Sequence, residues 1–509
     1  MKEKTIIDFL NEQAAESAAG AGHVSFHMPG HKGRADIFRR TGYGNFLNGI
    51  MACDITEIPG ADALFCPEST ILAVMENYAE LYGVQRTELL VNGSSAGVMA
   101  AIIGSIPVGG KLILGRNSHH SAYSAMRLGG INPVYVRPEF DRKYGLEGGI
   151  SPASLAQACQ EHPDAGAVLI TSPNYYGMMS DIGALASIAH QNGMLLIVDQ
   201  AHGAHLKFFD YDAETSRDRG DYVPHPKHAA ESLGADIVIN STHKTLLSFT
   251  GSGILNICPD RADRASIGET LRMLQTTSPS YILMGSLDIN ERIMREYHQR
   301  IVAAWKSDLT AFYRRAARIP GLTTVSTLSA AAAGEDDVFP MYKYRAGMDP
   351  SKINISMASV GFDGEKLDRE LRHKGIISEM VHGDYVMLMT GAGSRTEDYE
   401  KLLAALREIS DNYSFGAGTG GFKNAAAESV PDFRLDTADV PYEYEELPLY
   451  QADGRILYSP IIIYPPGSPA ACPGEILSVD VLSYVASALN RGEKVTGVDE
   501  EGRIKVGIY

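Results

Sequence analysis

Cysteine is scarce and scattered: Cys53, Cys66, Cys159, Cys258 and Cys472 are the 5 in a chain of 509 residues, with no CxxC pair. That spacing offers neither a disulfide framework nor a structural zinc site. It suits reduced thiols and predicts a cytoplasmic protein. Long apolar runs are missing too, so no segment is expected to span a bilayer. The N-terminal stretch MKEKTIIDFLNEQAAESAAGAGH breaks its apolar run with Asp8, Asn11 and Glu12, which denies it a signal-peptide core. In a cytoplasmic chain the Asn-x-Ser match at Asn92 is a chance one. No basic block stands out: 45 Lys and Arg face 62 Asp and Glu, for a formal charge of -17. Such a balance argues against nucleic-acid binding and mildly favours cationic ligands. A Walker A loop is also absent, as is any repeat at solenoid spacing.

What the chain does have is ample apolar material, 44% of its residues, and a length that predicts more than one domain. From about residue 88 to 258 a single rhythm recurs. The runs ELLVNG, KLILGR, NPVYVR, GAVLITS, MLLIVDQ, ADIVINS and SGILNIC are each of strand length. Several are separated by amphipathic stretches such as IGALASIAHQNG, whose spacing suits a helix stopped by Gly193. Strands alternating with helices imply an α/β fold with a mainly parallel sheet of seven strands, covered on both faces. Ligands of such sheets gather at the carboxyl ends of the strands. After about residue 290 a long helix is expected, carrying Trp305, the only tryptophan. The predicted division is an N-terminal segment 1–75, a large domain 76–290, a small α/β domain 291–412, a linker 413–431 and a C-terminal unit 432–509.

The carboxyl end of ADIVINS runs into Ser241, Thr242, His243 and Lys244, followed by glycines at 251 and 253. A lysine among small donors suits an amine that forms an imine with an aldehyde beside a phosphate. Pyridoxal 5'-phosphate is the natural aldehyde cofactor, and it sets further demands. Its ring nitrogen needs a carboxylate, which Asp199 at the end of MLLIVD supplies. At about 4 Å such a pair gains roughly 4 kcal/mol at an effective dielectric of about 20. An Asp after a strand also serves as a turn former or helix cap. The phosphate needs free amides at a helix start, and Gly93, Ser94 and Ser95 follow a strand into an alanine-rich helix. In RNSHHSAY, His119 is placed to cover the ring and His120 reads as its neighbour in the loop.

Two rival patterns exist. Asp199, His202 and His205 in DQAHGAH, with His27 and His31, raise metal binding. Glycine or Pro-Gly lies between the paired histidines, so neither pair is held on one helical face, and no metal is expected. A literal GxGxxG at Gly416, Gly418 and Gly421 has no strand before it and no clear helix after it, as a dinucleotide site requires.

In order, the segments FHMPGHKG, DITEIPGADALFCPEST, VNGSSAG, RNSHHSA, DQAHGAH, STHKTL, TTSPSY and YPPGSPAACPGE closely resemble the Orn/Lys/Arg decarboxylase family of fold-type I pyridoxal-phosphate enzymes. The first begins at Phe26, so the likeness is to the short form without an N-terminal wing domain. The resemblance implies decarboxylation of a basic amino acid, with Lys244 as the imine-forming lysine, Asp199 at the ring nitrogen and His119 stacked on the ring. It places His202 near the phenolic oxygen, and Ser94, Ser95, Ser241 and His243 on the phosphate. It also implies a homodimer in which Thr277 and Ser278 approach the neighbour's cofactor, and it puts Glu379 in the substrate pocket. Three departures stand out: Gln200 where relatives often carry Glu, His120 where they carry Lys, and glycines in FTGSGIL where many carry Gln-Ser-Ser. An aminotransferase shares these cofactor residues but fixes its substrate carboxylate with a small-domain arginine, for which Arg395 is the candidate. A decayed homologue acting as a regulator would not need Lys244, Asp199 and His119.

Overall fold

The computed structural model describes residues 23–141, 144–209, 228–258, 261–325, 347–412, 438–441, 443–464 and 468–508. The glycines at 416, 418 and 421 therefore lie outside the described residues. All seven apolar runs form strands of one sheet: β1 (Arg86–Leu90), β2 (Lys111–Gly115), β3 (Asn132–Val136), β4 (Ala165–Thr171), β5 (Leu195–Asp199), β6 (Ile237–Asn240) and β7 (Gly253–Ile257). Their order is β1-β7-β6-β5-β4-β2-β3. All neighbours are parallel except β7, which runs antiparallel to both β1 and β6.

Helices α1 (Gly93–Ser105), α2 (His120–Gly129), α3 (Pro152–Glu161), α4 (Ile182–Gln191) and α5 (Arg264–Leu274) cover the sheet. Side chains alternate across each strand, so Leu112 and Leu114 pack with α1, α2 and α5 on one face while Ile113 packs with α3 and α4 on the other. With both faces covered, the strands need apolar residues at nearly every position, and that is why they read as continuous runs. Helix α4 ends beside Gly193, as its sequence predicts.

Helix α6 spans Tyr281–Ala316 and buries Trp305. It packs in one apolar cluster with the small sheet and with α7 (Thr396–Asn412). That sheet holds β8 (Thr323–Thr324), β9 (Lys352–Ser356), β10 (Met380–His382) and β11 (Tyr385–Met389) in the order β8-β9-β11-β10, antiparallel throughout. Near the N-terminus the strand Val24–Ser25 pairs with Ile376–Ile377, and the chain then runs beneath the Lys244 turn, where the Gly30 amide donates to the His243 carbonyl at 2.8 Å. The last segment builds its own core from the strand Ile461–Tyr464 and the helix Val479–Asn490. None of the described helices is long and apolar enough to cross a membrane.

Candidate active site

The carboxyl ends of β1, β5 and β6 converge on one cleft. Strand register sets Asp199 opposite Thr171 on one side and Ile239 on the other. Beyond β6 the chain makes one helical turn, Thr242–Thr245, which presents Lys244. Lys244 Nζ lies 2.9 Å from His202 Nε2. Burial pulls the Lys244 ammonium down to about 8, with Asp199 and Glu379 raising it and Lys352 lowering it. Burial also raises the carboxyl of Asp199 above its ordinary range, against the pull of Lys244 and one hydrogen bond from the Ala201 amide at 3.1 Å. A carboxylate in that state is under-compensated. A cationic ring nitrogen would supply what it lacks.

His202 is packed against Tyr175, ring centroids 4.5 Å apart, and its Nδ1 is buried without a hydrogen-bond partner. His119 caps α2, with Nδ1 2.8 Å from Ser121 Oγ, and its ring sits 4.0 Å from that of His120. Burial, His120 and Lys244 lower its ring to about 3, so it is neutral at ordinary pH. At the start of α1 the Ser241 hydroxyl donates to Ser94 Oγ at 2.7 Å, and Ser95 follows in the first turn. Two hydroxyls beside free helix amides form an anion cradle. His243 has Nδ1 2.6 Å from the Ser252 carbonyl, and burial lowers it to about 4.

Thr277 and Ser278 are exposed on this chain, just before α6. The Glu379 side chain is 4% exposed, accepts from the Met28 amide at 2.9 Å and lies 3.7 Å from His27 Nε2. Its field is felt at Lys244, Lys32 and Lys352.

Those two lysines were not picked out from the sequence. Lys32 has φ +53 and donates to the His27 and Met389 carbonyls at 2.7 and 2.9 Å. Burial lowers it to about 7. Lys352 is wholly buried, 3.3 Å from the His202 carbonyl and 3.8 Å from Asp349. Lys32 stands inside FHMPGHKG, which was the available signal. Lys352, in DPSKINIS, carries none.

Two of the three departures find physical accounts, and the histidine at 120 finds none. Gln200 Nε2 donates to Glu231 and Asn240, both at 3.0 Å. A glutamate there would face the Glu231 carboxylate. Gly251 has φ +91 and its carbonyl accepts from the Gly93 amide at 2.8 Å. At Gly253 a Cβ would meet the Asn240 carbonyl at 2.6 Å. The histidines of the metal pattern part company, since His205 bonds Asp349 at 3.1 Å beside Trp305 and Phe209 while His202 faces Lys244. Arg395 pairs with Asp36 at an exposed helix start.

A lysine amine, a buried carboxylate at the end of the neighbouring strand, a neutral imidazole and a hydroxyl-lined helix start fit pyridoxal phosphate. Fold and site define a fold-type I pyridoxal-phosphate enzyme. The chain belongs to the Orn/Lys/Arg decarboxylase family: the family's major domain matches residues 13–398 and its C-terminal domain residues 431–503. That family is one of pyridoxal-phosphate-dependent amino-acid decarboxylases. An arginine decarboxylase of Bacillus subtilis is 30% identical over 482 residues, covering 94% of this chain and 93% of that one. An arginine decarboxylase of Bacillus anthracis is 29% identical over 483 residues, with 94% and 92% covered. Among solved structures, lysine decarboxylase A from Pseudomonas aeruginosa superimposes with a TM-score of 0.74 at 18% identity, covering 100% of this chain and 84% of its own.

Proposed function

We propose that this enzyme decarboxylates a basic L-amino acid, arginine, lysine or ornithine, to its amine and carbon dioxide. The observation that carries the choice of a basic side chain is Glu379, a buried carboxylate whose field reaches Lys244 and whose two close contacts, Met28 N and His27 Nε2, both fall on Oε2. In this reading its Oε1 takes the substrate's cationic end. The named arginine decarboxylases at 29 and 30% identity support arginine as the first substrate to test. Because Arg395 is engaged by Asp36, the arginine that an aminotransferase would need is not supplied from that position.

Bound pyridoxal phosphate supplies the electron sink for the electrons left by departing carbon dioxide. Lys244 holds the cofactor, and His202 Nε2 stands 2.9 Å from its Nζ. Asp199 keeps the proton on the ring nitrogen, and burial strengthens that interaction. His119, neutral, covers the ring. Ser94, Ser95, Ser241 and His243 line the phosphate end, with Thr277 and Ser278 offered to a second copy in a homodimer. The setting we infer is cytoplasmic, with polyamine synthesis as the metabolic context.

An amine-product screen over arginine, lysine and ornithine tests the reading, with carbon dioxide release scored against keto-acid formation. Wild type should yield one dominant amine, and Lys244→Ala should lose both turnover and the visible band of the bound cofactor. Cofactor-loaded protein that releases no amine from any of the three would end the substrate assignment.

A further inference from the structure

The C-terminal segment contacts the large domain through Arg116, Tyr123, Arg127 and Tyr135. Arg116, the residue after β2, is 9% exposed and sends its whole guanidinium into residues 469–475. Nε and Nη2 donate to the two Glu475 oxygens at 2.7 and 3.0 Å, Nη1 to the Pro469 carbonyl at 3.1 Å and Nη2 to the Ala470 carbonyl at 2.8 Å. Glu475 is 2% exposed and also accepts from the Cys472 amide at 2.7 Å. A bidentate guanidinium–carboxylate pair fixes orientation as well as distance.

The far side of Arg116 is equally constrained. Its amide donates to the Val136 carbonyl at 2.9 Å and its carbonyl accepts from Tyr123 Oη at 2.7 Å. Tyr123 stands in the second turn of α2, and Cys472 Sγ lies 3.5 Å from its hydroxyl. Further along α2, Arg127 donates to Tyr458 Oη at 2.7 Å and lies over that ring at 4.5 Å. Between Arg116 and α2 lie only Asn117, Ser118 and His119. Ser118 folds this link into a turn, its amide and hydroxyl both donating to the Gly115 carbonyl at 3.0 and 2.7 Å. The C-terminal segment thus holds both ends of the link that carries His119.

We propose that the C-terminal unit is a brace for His119, with Glu475 acting through Arg116 as a positioning residue for the ring that covers the cofactor. This rests on the reading of His119 as the stacking residue. It assigns YPPGSPAACPGE a task in the site, although the carboxylate of Glu475 bonds Arg116 and the Cys472 amide rather than His119. A buried fork so close to the link transmits small displacements, and a misplacement of about 1 Å can cost on the order of 100-fold in rate.

The test is a double-variant cycle on the full-length holoenzyme, read by the visible circular dichroism of the bound cofactor without substrate and by kcat and KM with it. Glu475→Gln should weaken the dichroism toward the level of His119→Ala and lower kcat on the order of 10-fold or more, with KM little changed. Glu475→Asp should recover part of both signals. His119→Ala combined with Glu475→Gln should be no worse than His119→Ala alone, because both act on one ring. Effects that simply add, or a Glu475→Gln enzyme with wild-type dichroism, would overturn the brace. If Glu475→Gln does not fold, the same cycle is run with Arg116→Lys, which keeps the charge and loses the fork, and the same two outcomes decide. Because the dichroism needs no substrate, coupled dichroism with no amine product would sink the substrate reading and leave the brace standing.

Discussion

An amine attacks an aldehyde only as the free base, and burial brings Lys244 down to about 8 from an ordinary value near 10.5. The sign follows directly: below about pH 8 the ammonium prevails, and above it the amine does. Cofactor uptake by the cofactor-free protein should therefore rise with pH and level off above about 8, two units earlier than an unperturbed lysine near 10.4 would allow. Following the visible band after mixing, across buffers from about pH 7 to 10, measures this. A rate still climbing steeply at the top of that range would refute it. His119, lowered to about 3, contributes no titration in the window, and neither does His243 at about 4. The same residue scale accounts for Gln200, whose amide donates to Glu231 while Ala230 N donates to Gln200 Oε1 at 2.8 Å. The amide both gives and accepts there. A carboxylate could do only the second.

The turn between β6 and β7 shows what one element demands. Lys244 is delivered by a strand end, and the return strand passes so close that Gly253 leaves no room for a side chain against the Asn240 carbonyl, 2.6 Å from where its Cβ would stand. That neighbour is backbone in the middle of the sheet and yields poorly. Gly253→Ala is expected to cost about 1–3 kcal/mol, the usual range for overpacking, and to lower the denaturation midpoint. It should also weaken cofactor binding, since moving Asn240 moves Ser241 and the hydroxyl pair with Ser94. Denaturant titration with and without pyridoxal phosphate checks both, and an alanine variant as stable as wild type would contradict the close approach.

Across the whole molecule, the N-terminal strap joins the two sheets at the floor of the site. Arg34 forks onto Asp398 at 2.7 and 2.6 Å and donates to the Gly393 carbonyl at 2.8 Å, with the two side chains 22% and 5% exposed. Asp398 also accepts from the Arg395 amide at 2.9 Å. Arg34→Ala should cost about 1–3 kcal/mol, the scale of charged hydrogen bonds left partly unpaired, and thermal unfolding of the variant measures it. A change within a few tenths would show that the fork onto Asp398 adds nothing to the strap's other contacts.

Much of the fold was legible because burial on both faces leaves a local mark. Each of the seven apolar runs became a strand, and Asp199 could be named from the strand it terminates and Lys244 from the turn that follows one. Ser94 and Ser241 were legible as separate helix-start and strand-end hydroxyls. Their 2.7 Å contact was not. The antiparallel setting of β7 had no signature either, since a wholly buried strand reads alike in either direction.

Sequence by itself determined the covered α/β sheet and the residue types at its carboxyl edge, because periodicity and strand-end chemistry are properties of neighbouring residues. Only the tertiary structure decided that Lys32 and Lys352 stand in the field of Glu379, that Glu231 makes Gln200 the fitting residue, and that Glu475 reaches Arg116 across 359 positions. Those relations depend on distance through space, burial and the charge of a partner, and a linear pattern encodes none of the three.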